Sequence, residues 1–193
     1  MEPTTLTTGR LLLRPWTPGD ADLVHAYCQD PDIQRWTAVP SPYERHHAEG
    51  WVGELAPEAW RTDTQYPFAV CLADSGLLVA SAGVHVHGPG KYEIGYWTAK
   101  EHRGRGYTAE AVDRIARWVF TDLGATRLEW RAEAGNTASR AVAEKLGFRY
   151  EGLLRAALPQ RGTVRDAWIG GLLPSDLGLP SAEPYLPHPA EAK

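Results

Sequence analysis

Apolar and polar positions along this chain fall into blocks, and the period of each block predicts an element. Arg10-Leu11-Leu12-Leu13-Arg14-Pro15 is a short apolar run flanked by charge and stopped by proline, the pattern of a strand near a sheet edge. Thr17-Pro18-Gly19-Asp20 opens a helix with a capping threonine and a proline suited to the first turn. Ala21, Val24 and Cys28 then recur at helical spacing until Asp30-Pro31 ends the segment. A second helix start follows at Ser41-Pro42-Tyr43-Glu44, where Ser and Glu three apart form a capping box, and Ala48, Trp51, Val52 and Leu55 mark one apolar face. The aromatics of this region, Tyr27, Trp36, Tyr43, Trp51 and Trp60, read first as core and second as the lining of a site.

Near Tyr66 the period drops to two. Phe68, Val70 and Leu72 alternate, Asp74-Ser75-Gly76 turns the chain, and residues 77–87 run back as the second arm of a β-hairpin. A third strand covers about 91–99, with Tyr92, Ile94 and Tyr96 on one face and Glu93, Gly95 and Trp97 on the other. Val112, Ile115, Ala116 and Val119 predict a helix over about 107–122, stopped by Leu123-Gly124. Residues 126–133 alternate as a strand, Asn136 caps a helix over 137–146 that Gly147 terminates, and strands follow near 148–158 and 163–172. Antiparallel strands followed by strand–helix alternation predict one α/β (α+β) domain over residues 1–173, built on a mixed, mostly antiparallel sheet of about six to seven strands. Residues 174–193 hold Pro174, Pro180, Pro184, Pro187 and Pro189 and read as a Pro-rich irregular tail.

Composition narrows the class. A chain of 193 residues, 43% hydrophobic with 8 Trp and 8 Tyr, fills one real core and leaves no room for two enzyme domains. No apolar run of about 18 residues and no basic-then-apolar N-terminus occur, so neither a membrane partner nor a secretory leader is expected. Cys28 and Cys71 form no C-x-x-C pair and read as buried thiols of a cytoplasmic protein. With 20 basic against 24 acidic residues and a formal charge of -4, a nucleic-acid partner is not expected. One basic cluster, Lys100-Glu101-His102-Arg103-Gly104-Arg105, suits a small anion.

That cluster runs into Gly106-Tyr107-Thr108 at a predicted helix start, where glycines admit a ligand to the backbone and the unpaired N–H donors favour phosphate. Gly104-x-Gly106-x-x-Ala109, with Glu129 about twenty residues on, also satisfies the dinucleotide pattern, although the preceding hairpin is foreign to a Rossmann unit. No lysine followed by Ser or Thr closes the loop as a Walker lysine would. His85-x-His87 and His46-His47 lack a third ligand at a recognisable spacing, so no metal is expected.

Four stretches taken together resemble the GNAT superfamily of N-acyltransferases, and within it the RimJ/RimL-like ribosomal-protein N-terminal acetyltransferases. They are Arg10–Pro15 with Asp20, Glu93-Ile-Gly-Tyr-Trp97, the arginine–glycine loop, and Asn136-x-x-Ser139 leading to Glu144-Lys-Leu-Gly-Phe148-x-x-Glu151-Gly152, together spanning about residues 8 to 170. The family loop is Q/R-x-x-G-x-G/A, from which Thr108 departs. The resemblance implies a GNAT-like sheet with splayed central strands and acetyl-CoA or another acyl-CoA as cosubstrate. It implies a pyrophosphate received by Arg103, Gly104, Arg105, Gly106, Tyr107 and Thr108, and a pantetheine arm paired with Trp97, Thr98 and Ala99 and touching Asn136 and Ser139. It further implies an amine acceptor, either a protein N-terminus or a small molecule, which attacks the thioester directly in a ternary complex.

Such a transfer needs a neutral amine, a polarised carbonyl and a proton for the leaving thiolate. Glu151, slightly ahead of Glu93, matches the family's base, and Ser139 its acid; Ser139 and Asn136 also fit plain helix capping. A homodimer is the default assembly. The alternatives are a non-catalytic CoA-binding module and a nicotinamide-dinucleotide-binding protein.

Overall fold

A computed structural model of the chain describes residues 1–187. Eight strands form one sheet: β1 (Leu6–Thr7), β2 (Leu11–Arg14), β3 (Gln65–Leu72), β4 (Leu78–Gly88), β5 (Lys91–Thr98), β6 (Arg127–Glu133), β7 (Arg149–Gln160) and β8 (Thr163–Leu172). Their order is β1-β2-β3-β4-β5-β6-β8-β7. The count exceeds the expected six to seven because β1, only two residues long, is too short to show a period. Every neighbouring pair is antiparallel except β5 with β6. A single parallel pair leaves no βαβαβ unit, which removes the structural basis of the dinucleotide reading.

The helices are α1 (Ala21–Tyr27), α2 (Pro31–Trp36), α3 (Arg45–Gly50), α4 (Ala56–Arg61), α5 (Tyr107–Thr121) and α6 (Thr137–Lys145). Asp30-Pro31 does not simply end a helix. The Asp30 side chain accepts from the Asp32 amide (2.9 Å) and Pro31 occupies the first turn, so the same dipeptide starts α2. The capping box expected at Ser41 also moves: Glu44 is itself the N-cap of α3 and its amide donates to His47 Nδ1 (3.0 Å), while the Ser41 hydroxyl donates to Gln34 Oε1 (2.7 Å). A π-helical turn, Trp51–Leu55, joins α3 to α4. Its wider turn carries Ala48, Val52, Ala56 and Trp60 to the buried side at spacings of four and leaves Leu55 57% exposed, contrary to the expected face.

Two cores sandwich the sheet. On one face Val112, Ile115, Ala116 and Val119 of α5 pack on Leu11, Leu13, Phe68, Val70 and Ile94. On the other, Val24, Cys28, Ile33 and Val52 from α1 to α3 and the π turn pack on Ala69, Cys71 and Leu78. The second layer covers only the β2–β5 half of its face. Beyond Leu173 the chain is not irregular at once: Pro174–Leu177 forms a 3-10 turn, and Leu177 and Leu179 pack against the first core. The last six residues of the expected tail, including Pro189, lie outside the described residues.

The parallel pair sets the functional geometry. β5 and β6 are in register only from Lys91 opposite Arg127 to Ile94 opposite Trp130, after which they part. β5 stays paired with β4 up to Thr98, and β6 with β8 up to Glu133. The sheet is therefore intact on either side of a wedge whose two edges carry unpaired main-chain groups.

Candidate active site

The wedge opens into a cavity of about 1090 Å³ that passes from one face of the sheet to the other. On the α5–α6 face it is lined by Tyr96, Trp130, Asn136 and Ser139, and on the α1–α4 face by Ser81, Gly83, His85, Gly95, Trp97 and Arg131. A second hollow of about 240 Å³ adjoins it at the start of α5, bounded by Thr98, His102, Gly104, Gly106, Thr108 and Lys145.

The glycine loop walls that hollow. Gly104 (φ +74°) and Gly106 (φ +79°) hold left-handed conformations that other residues adopt only with strain, and Gly106 caps α5. Among the described residues, the amides of Gly104 to Thr108 have no main-chain acceptor, and they sit at the positive end of a 15-residue helix. The charge around the loop differs from expectation. Arg103 donates from Nη2 to Asp30 (2.5 Å), from Nη1 to Asp32 (3.1 Å) and from Nε to the Thr98 carbonyl (3.2 Å), so its guanidinium clamps the start of α2 to the loop. The Arg105 carbonyl accepts from Arg10, whose guanidinium lies 4.9 Å from the Tyr107 ring centroid. Thr108, the departure from the family pattern, shares a hydrogen bond with the Thr98 hydroxyl and so ties the end of β5 to the first turn of α5.

Ala99 does not belong to the wedge edge. It is fully buried, and its amide donates to the Val79 carbonyl of the β4 side (3.0 Å). Because amide directions alternate along a strand, the amides facing β6 are those of Tyr96 and Thr98. Trp97 lines the cavity edge-on to Tyr27, with ring centroids 6.3 Å apart.

Ser139 stands at the first turn of α6, where Asn136 supplies the cap and the serine hydroxyl is left to other partners. Its amide donates to the capping Asn136 Oδ1 (3.1 Å); its hydroxyl oxygen accepts from Trp130 Nε1 (2.9 Å) and lies 3.1 Å from the Tyr96 hydroxyl. Tyr96 in turn donates to the Ser139 carbonyl (2.9 Å), and burial pushes its phenol up to about 12 against the opposing hydrogen bonds of Ser139 and Trp130.

The two glutamates are not brought to the cavity. Glu151 lies on the outermost strand, with β8 and β6 between it and the wedge, and Arg127 grips its carboxylate (2.9 and 2.5 Å). Glu93 is on the correct strand and face, but its carboxylate turns to His87 Nε2 (3.1 Å) and Arg131 Nε (3.5 Å). The group that does line the wall is His85, the cross-strand neighbour of Glu93. It is solvent-accessible at the open cavity, where partial desolvation lowers its pKa, the Glu93 charge opposes this and His87 adds to it. Sequence reasoning weighed His85 only as a metal ligand. The alternation of β4 places it on a face, yet only the tertiary layout shows that this face looks into a cavity. Trp36, Tyr43 and Trp51 also line the cavity, whereas Tyr27 and Trp60 are core. No group of three His, Cys, Asp or Glu side chains able to hold a metal occurs among the described residues.

The profile of the family described as an acetyltransferase (GNAT) domain matches residues 10–149. An uncharacterised N-acetyltransferase of Bacillus licheniformis is 28% identical over 171 residues, covering 88% of this chain and 96% of that protein. Among solved structures, a putative ribosomal-protein-serine acetyltransferase from Vibrio cholerae superposes with a TM-score of 0.79 at 25% identity, covering 89% of this chain and 98% of the other. Mycobacterium smegmatis RimJ in complex with CoA-disulfide gives a TM-score of 0.79 at 25% identity, with 94% of each chain covered.

Proposed function

The chain belongs to the GNAT acetyltransferase family and is an acetyl-CoA-dependent N-acetyltransferase; from that premise we propose that the wedge between β5 and β6 is its active site and that its acceptor is an α-amine. The observation carrying this reading is the wedge itself, an unpaired strand edge running from the glycine loop to Ser139.

The residues fit coenzyme A. The acceptor-free amides of Gly104 to Thr108 suit a pyrophosphate, and the outward amides of Tyr96 and Thr98 suit an amide-bearing arm laid along β5 as an added strand. Bound there, acetyl-CoA supplies an activated acetyl thioester. With Thr98, nearer the phosphate loop, paired to the arm, the Tyr96 amide is the donor left for the carbonyl oxygen, and the Trp97 amide points instead to β4. The hydrogen-bonded hydroxyls of Ser139 and Tyr96 supply the proton that the departing sulfur needs. Glu151 has no part in this assignment, and Glu93 acts at most through its neighbours.

The acceptor enters from the α1–α4 side, between Trp36, Tyr43, Trp51 and Trp97. Asp32 lines that space at its solvent-exposed margin and shares the Arg103 guanidinium with the buried Asp30. Aromatic walls with a single exposed carboxylate at the margin favour an amine that sheds its charge easily. An α-amine, at about 7.7–8.0, does so far more readily than a lysine at about 10.4. The Vibrio relative, a putative ribosomal-protein-serine acetyltransferase, agrees with a protein acceptor. Thiol release measured with short peptides tests this: a free N-terminus is expected to give kcat/KM at least about tenfold above an N-blocked peptide carrying lysine. Equal rates would overturn the α-amine reading, and no thiol release with any amine would leave a binding module. A homodimer, checked by light scattering, and a cytoplasmic address, supported by the unpaired buried Cys28 and Cys71, complete the reading.

A further inference from the structure

We infer that His85 is the base of this site, taking the proton from the attacking amine at Nε2, a role the glutamates of the family motifs do not fill here. The inference rests on the wedge being the acetyl-transfer site.

Position carries the argument. His85 stands on β4 with Ser81 and Gly83, and together they wall the acceptor side of the cavity. Its cross-strand partner is Glu93, and its ring leans towards Gly95, with Nε2 3.8 Å from where a Cβ on that glycine would lie. Gly95 is the first residue of β5 beyond the last pair with β6, so the imidazole overlooks the point where the strands part. Both imidazoles are solvent-accessible, but that of His87 is tied to Glu93. Among the described residues no hydrogen bond engages the ring nitrogens of His85, which leaves a lone pair for an incoming N–H.

Electrostatics suit the role. The charged neighbours facing His85 are His87 on its own strand, Glu93 on β5 and Arg131 on β6, with neutral Gln65 opposite on β3. His46 and His47 of α3 and Asp32 of α2, which shares Arg103 with Asp30, border the same space. Partial desolvation against the cavity wall lowers the imidazole's pKa, which favours its neutral form, and the Glu93 charge opposes this and stabilises the imidazolium once the proton arrives. In the step, the amine lone pair forms the C–N bond at the thioester carbon and one N–H proton passes to His85 Nε2. The C–S bonding pair leaves with sulfur, which takes a proton from the Ser139–Tyr96 hydroxyl pair. The products are an acetamide and a free thiol; His85 then returns its proton through water to the hydroxyl pair. Glu93 is a positioning residue.

Two variants and two readouts test this. His85→Gln is expected to lower kcat about 100-fold or more, the usual scale for a general base, and to abolish the acid limb of the kcat–pH profile, with acetyl-CoA affinity within about twofold of wild type. Glu93→Gln removes the charge that raises the His85 pKa, so its acid limb is expected to move to lower pH. In the ligand-free protein, NMR titration of the imidazole should place His85 below an ordinary histidine and lower still in Glu93→Gln. Unchanged kcat with a retained acid limb in His85→Gln, or an imidazolium persisting at neutral pH in the free protein, would overturn the assignment. A wild-type protein that acetylates no amine would instead refute the reading beneath it.

Discussion

Asp20 is 5% exposed and accepts four hydrogen bonds, from Arg14 Nη1 (2.8 Å) and Nη2 (2.7 Å) and from the amide (2.8 Å) and hydroxyl (2.9 Å) of Thr17. Burial alone pushes its carboxyl up, but the Arg14 and Thr17 donors outweigh that and hold it below the usual carboxylate range. Asp20→Ala leaves Arg14 half-buried and unmatched, so a loss of about 3–5 kcal/mol is expected in urea unfolding. The sign with pH follows from the depressed value. The stabilisation is fully present above about pH 4, where the unfolded carboxyl is ionised, and disappears as pH falls through the lower folded value. Wild type and Asp20→Asn should therefore differ at pH 7 and converge in acid; a constant gap would contradict the ion pair. Residues differ in how far such roles can be read without coordinates. Gly104, Gly106 and Asn136 act through their own backbone or their own helix, so local chemistry reveals them. Arg103 sits in the same motif, yet its partners Asp30 and Asp32 are some seventy residues away, and nothing local marks its charge as matched.

At the scale of elements, the β7–β8 hairpin does work that its own sequence conceals. Arg161 (φ +48°) and Gly162 (φ +74°) form its tight turn, which reaches across to the segment after α2. Gln160 Nε2 donates to the carbonyls of Arg35 (3.3 Å) and Thr37 (2.9 Å), and Arg161 Nη2 to those of Val39 (3.0 Å) and Gln34. Glu133 joins Arg35 (2.6 Å) to Arg165 (3.2 Å) beneath them. The pinned stretch contributes Trp36, Thr37, Ala38 and Val39 to the cavity wall. Arg161→Ala should loosen that rim and raise the acceptor KM about fivefold to tenfold, roughly the net worth of one ordinary hydrogen bond, with acetyl-CoA affinity unchanged because the glycine loop is elsewhere. An unaltered acceptor KM would show the clamp to be ornamental to catalysis. The periods of two and 3.6 locate most of these elements to within a few residues, and the exceptions have causes. β1 is too short to repeat its period, α2 hides behind a dipeptide that both stops and starts helices, and the π turn rotates the apolar face after Trp51. Strand order is not a local property at all, which is why Glu151 looks well placed in the sequence and lies two strands from the wedge.

Across the whole molecule, the wedge divides the sheet into a β1–β5 half and a β6–β8–β7 half, joined through the four register pairs from Lys91/Arg127 to Ile94/Trp130. The first half carries the α1–α4 layer, the second carries α6, and α5 lies across the strands of the first beside α6. A ligand that fills the wedge touches both halves and binds only when they are folded together, so its binding free energy adds to global stability. At 100 times its Kd, coenzyme A should contribute about 2.7 kcal/mol. For a domain of this size each kcal/mol raises Tm by about 2–4 °C, giving an expected increase of about 5–11 °C in a thermal-shift experiment. NAD offers a diphosphate to the loop amides but no pantetheine arm for the Tyr96–Thr98 edge, so at the same concentration it should move Tm by less than about 2 °C. An equal response to both ligands would mean that the loop alone binds and the wedge does not. No response to coenzyme A would remove the link between the parted strands and the transfer reaction.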